Sequence, residues 1–364
     1  MSFAPSRLSI ARKRRMLTKK ELAERCNITP HTISRCEKGD TVPSDETVQI
    51  IARVLNYPFE FFFLDDIEEP TGASFRSLTS MTASIRDAAL SAGSLGFILA
   101  DWLQQNFNIP SPQLPDLSLY TPSVAARTLR EEWSLGERPI SNMIQLLESK
   151  GVLGFSLFEE TAKMNAFSIW RNQRPFVFLN NYKSAESSRF DAAHELAHLV
   201  LHQDGASTGR QAEDEANQFA SSFLMPSSDV HAQIPSVMYL DQIVRHKKRW
   251  RVSAAALAYR VHKLEIISDW RYRDFCIEMS KRGYNTKEPF PIERESSALW
   301  TKVLQSLWQD GRTIFHVAQS LNLPDKEVAG LILGLTSPAP PTDKKGIGLR
   351  LVNQPPHPHK TRTP

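Results

Sequence analysis

The sequence predicts a mainly α-helical chain with a small β-sheet, arranged as an all-α N-terminal domain followed by an α+β domain. Three observations carry this expectation. Apolar positions at helical spacing, bounded by start and stop signals, fill most of residues 7–55. Two aromatic and β-branched runs in the middle of the chain, "VLGFSLF" and "PFVFLNN", have the composition of short strands. A length of 364 residues exceeds what one core usually supports, so two or three domains are expected.

Composition narrows the class. Hydrophobic residues make up 41% and charged residues 23%, as in a globular protein. No apolar run approaches the roughly 18 residues that a membrane span requires, and "MSFAPSRLSIARKRR" lacks the apolar stretch of a signal peptide. The expected location is the cytoplasm, with no membrane partner. Cys26, Cys36 and Cys276 are too few for a disulfide framework and stand at no metal-ligand spacing, so they are expected as free thiols. Residues 1–64 hold eleven Lys/Arg against seven Asp/Glu, an excess equal to the +4 of the whole chain. Such a concentration suits a polyanionic partner.

In the N-terminal segment, Thr18 and Glu21 have the capping-box spacing that opens a helix, and Asn27 tolerates the left-handed turn that ends one. A second helix starts at once, with Thr29 as N-cap, Pro30 at its first position and Gly39 closing it. Ala23, Asn27 and Ile33 supply the small, turn and apolar positions of a helix-turn-helix. "SDETVQIIARVL" adds a helix with Val48, Ile51, Ala52 and Leu55 on one face. The segment resembles the lambda-repressor-like (XRE) DNA-binding domains over about residues 6–64, most specifically in "ISRCEKG". The resemblance implies a double-stranded DNA operator as partner, with the helix from Thr29 to Lys38 in the major groove. Pro30, His31, Thr32, Ser34 and Arg35 are then candidates for base or phosphate contacts, and Lys38 for phosphate. Lys19 stands where the family often carries glutamine, and a lysine there suits a phosphate contact.

Residues 67–125 are expected as a helical connector, with a helix from about Ser84 to Phe107, and a linker in "NIPSPQLPDLSLYTPS". Helical spacing resumes at Val124, and Ile140, Ile144 and Leu147 form a core-facing stripe. The two predicted strands follow. Then "RFDAAHELAHLVLHQ" places His194, His198 and His202 at four-residue intervals with Glu195 beside the first. On a helix, His194 and His198 share a face and can reach one metal ion, while Glu195 can take a proton from water beside it. This is the logic of HExxH in zinc peptidases. Metzincins place a third histidine where this chain has Asp204 and a glycine where it has Leu201, which disfavours that arrangement. "QAEDEANQFASSFLMP" supplies a glutamate instead. Glu213 and Asn217, at i and i+4, share a face, so one can bind metal while the other orients a ligand histidine. Glu215 is the weaker choice, and His202 and Asp204 weaker still.

"RFDAAHELAHLVLH" followed by "EDEANQFASSFLMP", with "LGERPISNMIQLLESKGV" upstream, resembles the ImmA/IrrE family of metallopeptidases over about residues 126–285. The resemblance implies a zincin-like α+β domain and zinc held by His194, His198 and Glu213. It further implies Glu195 as general base and limited proteolysis of a helix-turn-helix repressor or of the chain itself. The alternative is a non-enzymatic transcription factor whose peptidase-like domain serves as sensor or dimerisation module, and homodimerisation stays open. Past this segment, "RHKKRWR" is expected as a solvated helix face. In "RTIFHVAQSLNLPDKEVAGLILGL", Ala318, Asn322 and Val328 repeat the spacing of Ala23, Asn27 and Ile33, but the following helix is acidic and apolar, which suits packing rather than DNA reading. The expected domains are residues 1–66, 67–125, 126–300, 301–336 and a disordered Pro- and Lys/Arg-rich tail, 337–364.

Overall fold

Local capping chemistry shapes the N-terminal unit. The computed structural model describes residues 2–70, 74–75, 82–157, 166–203 and 209–336; the expected tail and Asp204 lie outside the described residues. α1 (Pro5–Arg14) begins on a proline, whose missing N–H costs nothing at a helix start. α2 (Lys19–Cys26) opens with the full capping box: the Glu21 N–H donates to Thr18 Oγ1 at 3.1 Å, and the Thr18 N–H donates to Glu21 Oε2 at 2.7 Å. Asn27 ends it at φ 55°. In α3 (Pro30–Lys38) the Thr29 hydroxyl accepts from the Thr32 N–H at 3.1 Å, and Gly39 at φ 79° turns the chain out of the helix. α4 (Asp45–Leu55) and a 3-10 turn at Phe59–Phe63 close this unit over Leu8, Leu22, Ile33, Val48, Ile51 and Leu55. A buried ion pair between Arg12 and Glu37, Nε to Oε1 at 2.5 Å, ties α1 to α3.

The sheet is the centre of the remainder. β1 (Ser74–Phe75), β2 (Leu153–Leu157), β3 (Phe167–Arg171) and β4 (Arg174–Asn180) pair in the order β1-β3-β4-β2, antiparallel except for β2 with β4. β2 is buried along its whole length and β4 along all but its first residue, which is why both read as continuous apolar runs. β3 was not expected. It is joined to β4 by a two-residue turn in which Asn172 and Gln173 both have positive φ, at 49° and 60°, the geometry that matches strand twist in a tight hairpin.

α5 (Ala83–Asn106), in the region expected as a connector, is a core element. It packs on α1 and, through its middle, on the sheet. Gly96 permits this approach: a Cβ there would stand 2.7 Å from Phe178 Cε1. Phe155, Phe167 and Phe178 form a stack against it, with Phe167 and Phe178 ring centres 4.5 Å apart. The expected proline-rich linker is a docked strap. The Gln113 N–H donates to Lys150 O at 2.9 Å, the Leu117 N–H donates to Val200 O at 2.7 Å, and the Trp133 indole donates to Gln113 O at 3.1 Å. Prolines suit such a strap, since it runs extended and is pinned by its non-proline N–H groups.

Helices surround the other side: α6 (Pro122–Glu132), α7 (Met143–Ser149), α8 (Ala185–Leu201), α9 (Arg210–Leu224), α10 (Ser227–Gln233), α11 (Leu240–Trp250), α12 (Ala254–Lys263) and α13 (Asp269–Lys281). The basic run at the end of α11 is a solvated face only in part: Arg245, Lys248 and Arg249 are exposed, whereas Lys247 and Trp250 are turned inward. Lys247 is buried, its Nζ 3.2 Å from Glu186 Oε1 and 3.1 Å from Glu288 Oε1, and Arg249 and the Trp250 indole both donate to Asp229. Acidic partners distant in sequence turned Lys247 inward, while Arg249 pairs with Asp229 at the surface. α14 (Ala298–Gln309), α15 (Ile314–Ser320) and α16 (Asp325–Leu333) follow. Asn322 turns at φ 51°, with Ala318 and Val328 fully buried, and α16 packs on β2. Its Glu327 takes ion pairs from Arg14, at 2.7 Å, and from Arg15. Among the described residues, no helix is long and apolar enough to cross a membrane.

Candidate metal centre and nucleic-acid interface

α8 is held by groups that complete both of its ends. The Ser184 side chain caps its first turn. At its other end, where carbonyls lack helical partners, Leu199 O accepts from the Trp170 indole at 3.1 Å and Val200 O from Leu117. Arg189, buried in its middle, pairs with Glu295 and donates to Ile140 O at 2.6 Å. These ties fix the rotation of α8 between β3, β4 and α9.

That rotation brings His194 and His198 to face Glu213 of α9. The two Nε2 atoms are 3.1 Å apart; His194 Nε2 lies 3.4 Å from Glu213 Oε2, and His198 Nε2 lies 3.5 Å from Glu213 Oε1. Zinc bonds of 2.0–2.1 Å in a tetrahedron demand ligand atoms about 3.3–3.4 Å apart. The spacing and the two-imidazole, one-carboxylate donor set therefore fit zinc, and the three residues form a group able to hold a metal ion. The His194 and His198 side chains are buried, and that of Glu213 is 20% exposed. Burial opposes ionisation of Glu213, but hydrogen bonds and charge from both histidines hold its carboxyl down at about 2. His194 Nδ1 meets Asn217 Oδ1 at 3.2 Å. Asn217 thus holds the ring from behind.

Glu195 points to the sheet side of α8. It is fully buried, and Ser168 Oγ on β3 donates to its Oε2 at 2.7 Å. Burial pushes its carboxyl up to about 7, against the pull of His198 and the Ser168 hydrogen bond. Ser168 was missed from the sequence. Its only signal is a polar residue inside an apolar strand, "FSIW". His202 and Glu215 are not among the three convergent donors. Instead, His202 Nδ1 lies 2.9 Å from His198 Nδ1, and its Nε2 lies 3.0 Å from Glu215 Oε2. A cleft of about 1440 Å³ opens beside this group, lined among others by Phe190, Glu215, Asn217, Tyr259 and Arg260.

At the other end of the chain, α3 packs on α1 and α2 and leaves its far side open. Thr29, Pro30, His31, Arg35 and Lys38 are exposed, and Thr32 and Ser34 are half-buried. Lys19 reaches Ser34 Oγ at 3.4 Å and Glu37 Oε2 at 3.2 Å, so its ammonium sits beside the exposed side of α3. The residues expected to contact DNA therefore share one region of the surface.

Comparison with known families agrees with both regions. Residues 8–62 match the helix-turn-helix family, and residues 154–262 match the family described as the IrrE N-terminal-like domain, a metallopeptidase family. No curated protein matches the chain. The first match supports DNA binding by the N-terminal unit, and the second gives the domain around α8 and α9 a metallopeptidase-like character. The chain is thus a fusion of an XRE-like helix-turn-helix domain with a metallopeptidase-like domain of the ImmA/IrrE kind.

Proposed function

We propose that the protein is a DNA-binding transcriptional regulator whose second half is a zinc-dependent endopeptidase acting on a helix-turn-helix repressor, either a separate chain or its own. The observation that carries this reading is the mutual spacing of 3.1, 3.4 and 3.5 Å among the donor atoms of His194, His198 and Glu213, with a buried carboxylate, Glu195, next to them in the chain. His194, His198 and Glu213 would hold the metal, with Asn217 orienting His194. Zinc bound there would supply Lewis acidity at the scissile carbonyl. Glu195 takes a proton from the attacking water and delivers it to the departing amine. Because Ser168 occupies Oε2, Oε1 is the atom left for that exchange. The cleft beside Asn217 offers room for the peptide.

On the DNA side, Pro30, His31, Thr32, Ser34 and Arg35 would meet bases or phosphates, and Lys19, Thr29 and Lys38 would lie along the backbone. The working domain bounds are 1–66 for DNA binding and 126–300 for the peptidase, with α5 and α14–α16 joining them, and the cytoplasm as location. A non-enzymatic sensor would have no use for a buried carboxylate fixed by a serine beside three metal donors, which is why the enzyme reading is preferred. Mass spectrometry of the zinc-loaded protein incubated with candidate repressors tests it. New termini that vanish with Glu195→Gln are expected; wild-type protein with full zinc and no cleavage of any repressor or of itself would favour the sensor.

A further inference from the structure

The third histidine of "HELAHLVLH" remains to be accounted for. His202 caps the C-terminal end of α8, its side chain 5% exposed, and both ring nitrogens are engaged. Taken with the metal reading above, on which this inference rests, the pattern has only one consistent polarity. His198 Nε2 belongs to the convergent donor set and must be free of a proton to bind metal. The neutral ring then carries its proton on Nδ1, 2.9 Å from His202 Nδ1. His202 must accept there, so its own proton sits on Nε2, which faces Glu215 Oε2 at 3.0 Å. A carboxylate can only accept. Gln211 Nε2 donates to the remaining Glu215 oxygen at 2.9 Å and fixes it.

We infer that His202 and Glu215 form an orienting relay that holds His198 with Nε2 toward the metal, as Asn217 does for His194. Both are positioning residues, and neither touches the metal. Two acids on α9 thus divide the work: Glu213 faces the donor set, and Glu215, two residues on, faces the back of the relay. Hydrogen-bond partners behind metal-binding histidines fix the ring and its tautomer, and their loss weakens metal binding by about 10–100-fold. A contact serving only to pack α8 on α9 would not require a defined tautomer in either ring.

The test is zinc affinity by chelator competition on the full chain, together with long-range imidazole proton–nitrogen correlation spectra. Glu215→Ala and His202→Phe should each weaken zinc binding by about 10-fold or more. Glu215→Gln should stay within about 2-fold, because its amide oxygen still accepts from His202. In the zinc-loaded wild type, His198 should carry its proton on Nδ1 and His202 on Nε2. A proton on His202 Nδ1 overturns the relay, as does wild-type affinity in Glu215→Ala and His202→Phe while Glu213→Ala loses zinc. Wild-type affinity in Glu213→Ala would instead overturn the metal reading itself. The spectra and the Gln variant keep the test decisive if Glu215→Ala fails to fold.

Discussion

A single carboxylate separates catalysis from metal binding in the proposed site. Glu195 is buried against Ser168 and is not one of the convergent donors, so Glu195→Gln should preserve the fold and the zinc. The amide cannot take up and return a proton, and cleavage should fall by about 10²-fold or more. Metal analysis and quantitative mass spectrometry on the same preparation check this; equal cleavage by the zinc-loaded Gln variant would remove Glu195 from the chemistry. At the other end, Arg35 is exposed on α3. If it makes a bidentate base contact, Arg35→Ala should cost about 1–3 kcal/mol of specific binding. Gel shifts on genomic fragments at several salt concentrations measure it, and equal affinity for every fragment would count against a base-reading role.

At the scale of elements, what was legible in the sequence was local. The Thr18–Glu21 box, the turns at Asn27 and Gly39, and the four-residue spacing of His194 and His198 depend on neighbours within one or two turns, and each was readable as a string. Contacts across the fold were not. Ser168 meets Glu195 across 27 residues, Lys247 meets Glu186 across 61, and no periodicity announces either. β3 escaped because "NQ" lacks the glycine that normally marks a two-residue hairpin turn. The sequence of α5 marks a helix but not a core element, since its placement depends on how closely it can approach the sheet. Gly96→Ala tests that approach: its Cβ would lie 2.7 Å from Phe178 Cε1 and 2.9 Å from Cζ. Ring and helix must move apart, at a cost of about 1–3 kcal/mol. Urea unfolding should show it, and unchanged stability would mean that the helix-to-sheet contact yields easily.

For the whole molecule, the question is how a DNA-binding unit is coupled to a peptidase-like one. α16 packs on β2, and its Glu327 reaches into the C-terminal turn of α1, accepting from Arg14 at 2.7 Å and from Arg15, whose guanidinium also lies over the Tyr57 ring. Glu327 and the Arg14 side chain are almost fully buried, so water cannot replace either partner. Removing one member of a buried pair leaves the others uncompensated and costs about 3 kcal/mol. Glu327→Ala should therefore lower stability by about that amount and speed hydrogen exchange in α1 and α16, leaving α8 and α9 protected. Acid should act in the same direction. Burial alone would raise the carboxyl's pKa, but Arg14 and Arg15 outweigh it and hold it below the ordinary 4.5. A depressed folded value means that the stabilisation is complete above the unfolded value and is lost as pH falls through the folded one. The contact thus stays intact across neutral pH and weakens only well into acid. Exchange measured at neutral pH on wild type and Glu327→Ala decides the matter: if α1 exchanges equally in both, the packing of α1 on α5, and not the ion pair, holds the DNA-binding unit to the rest.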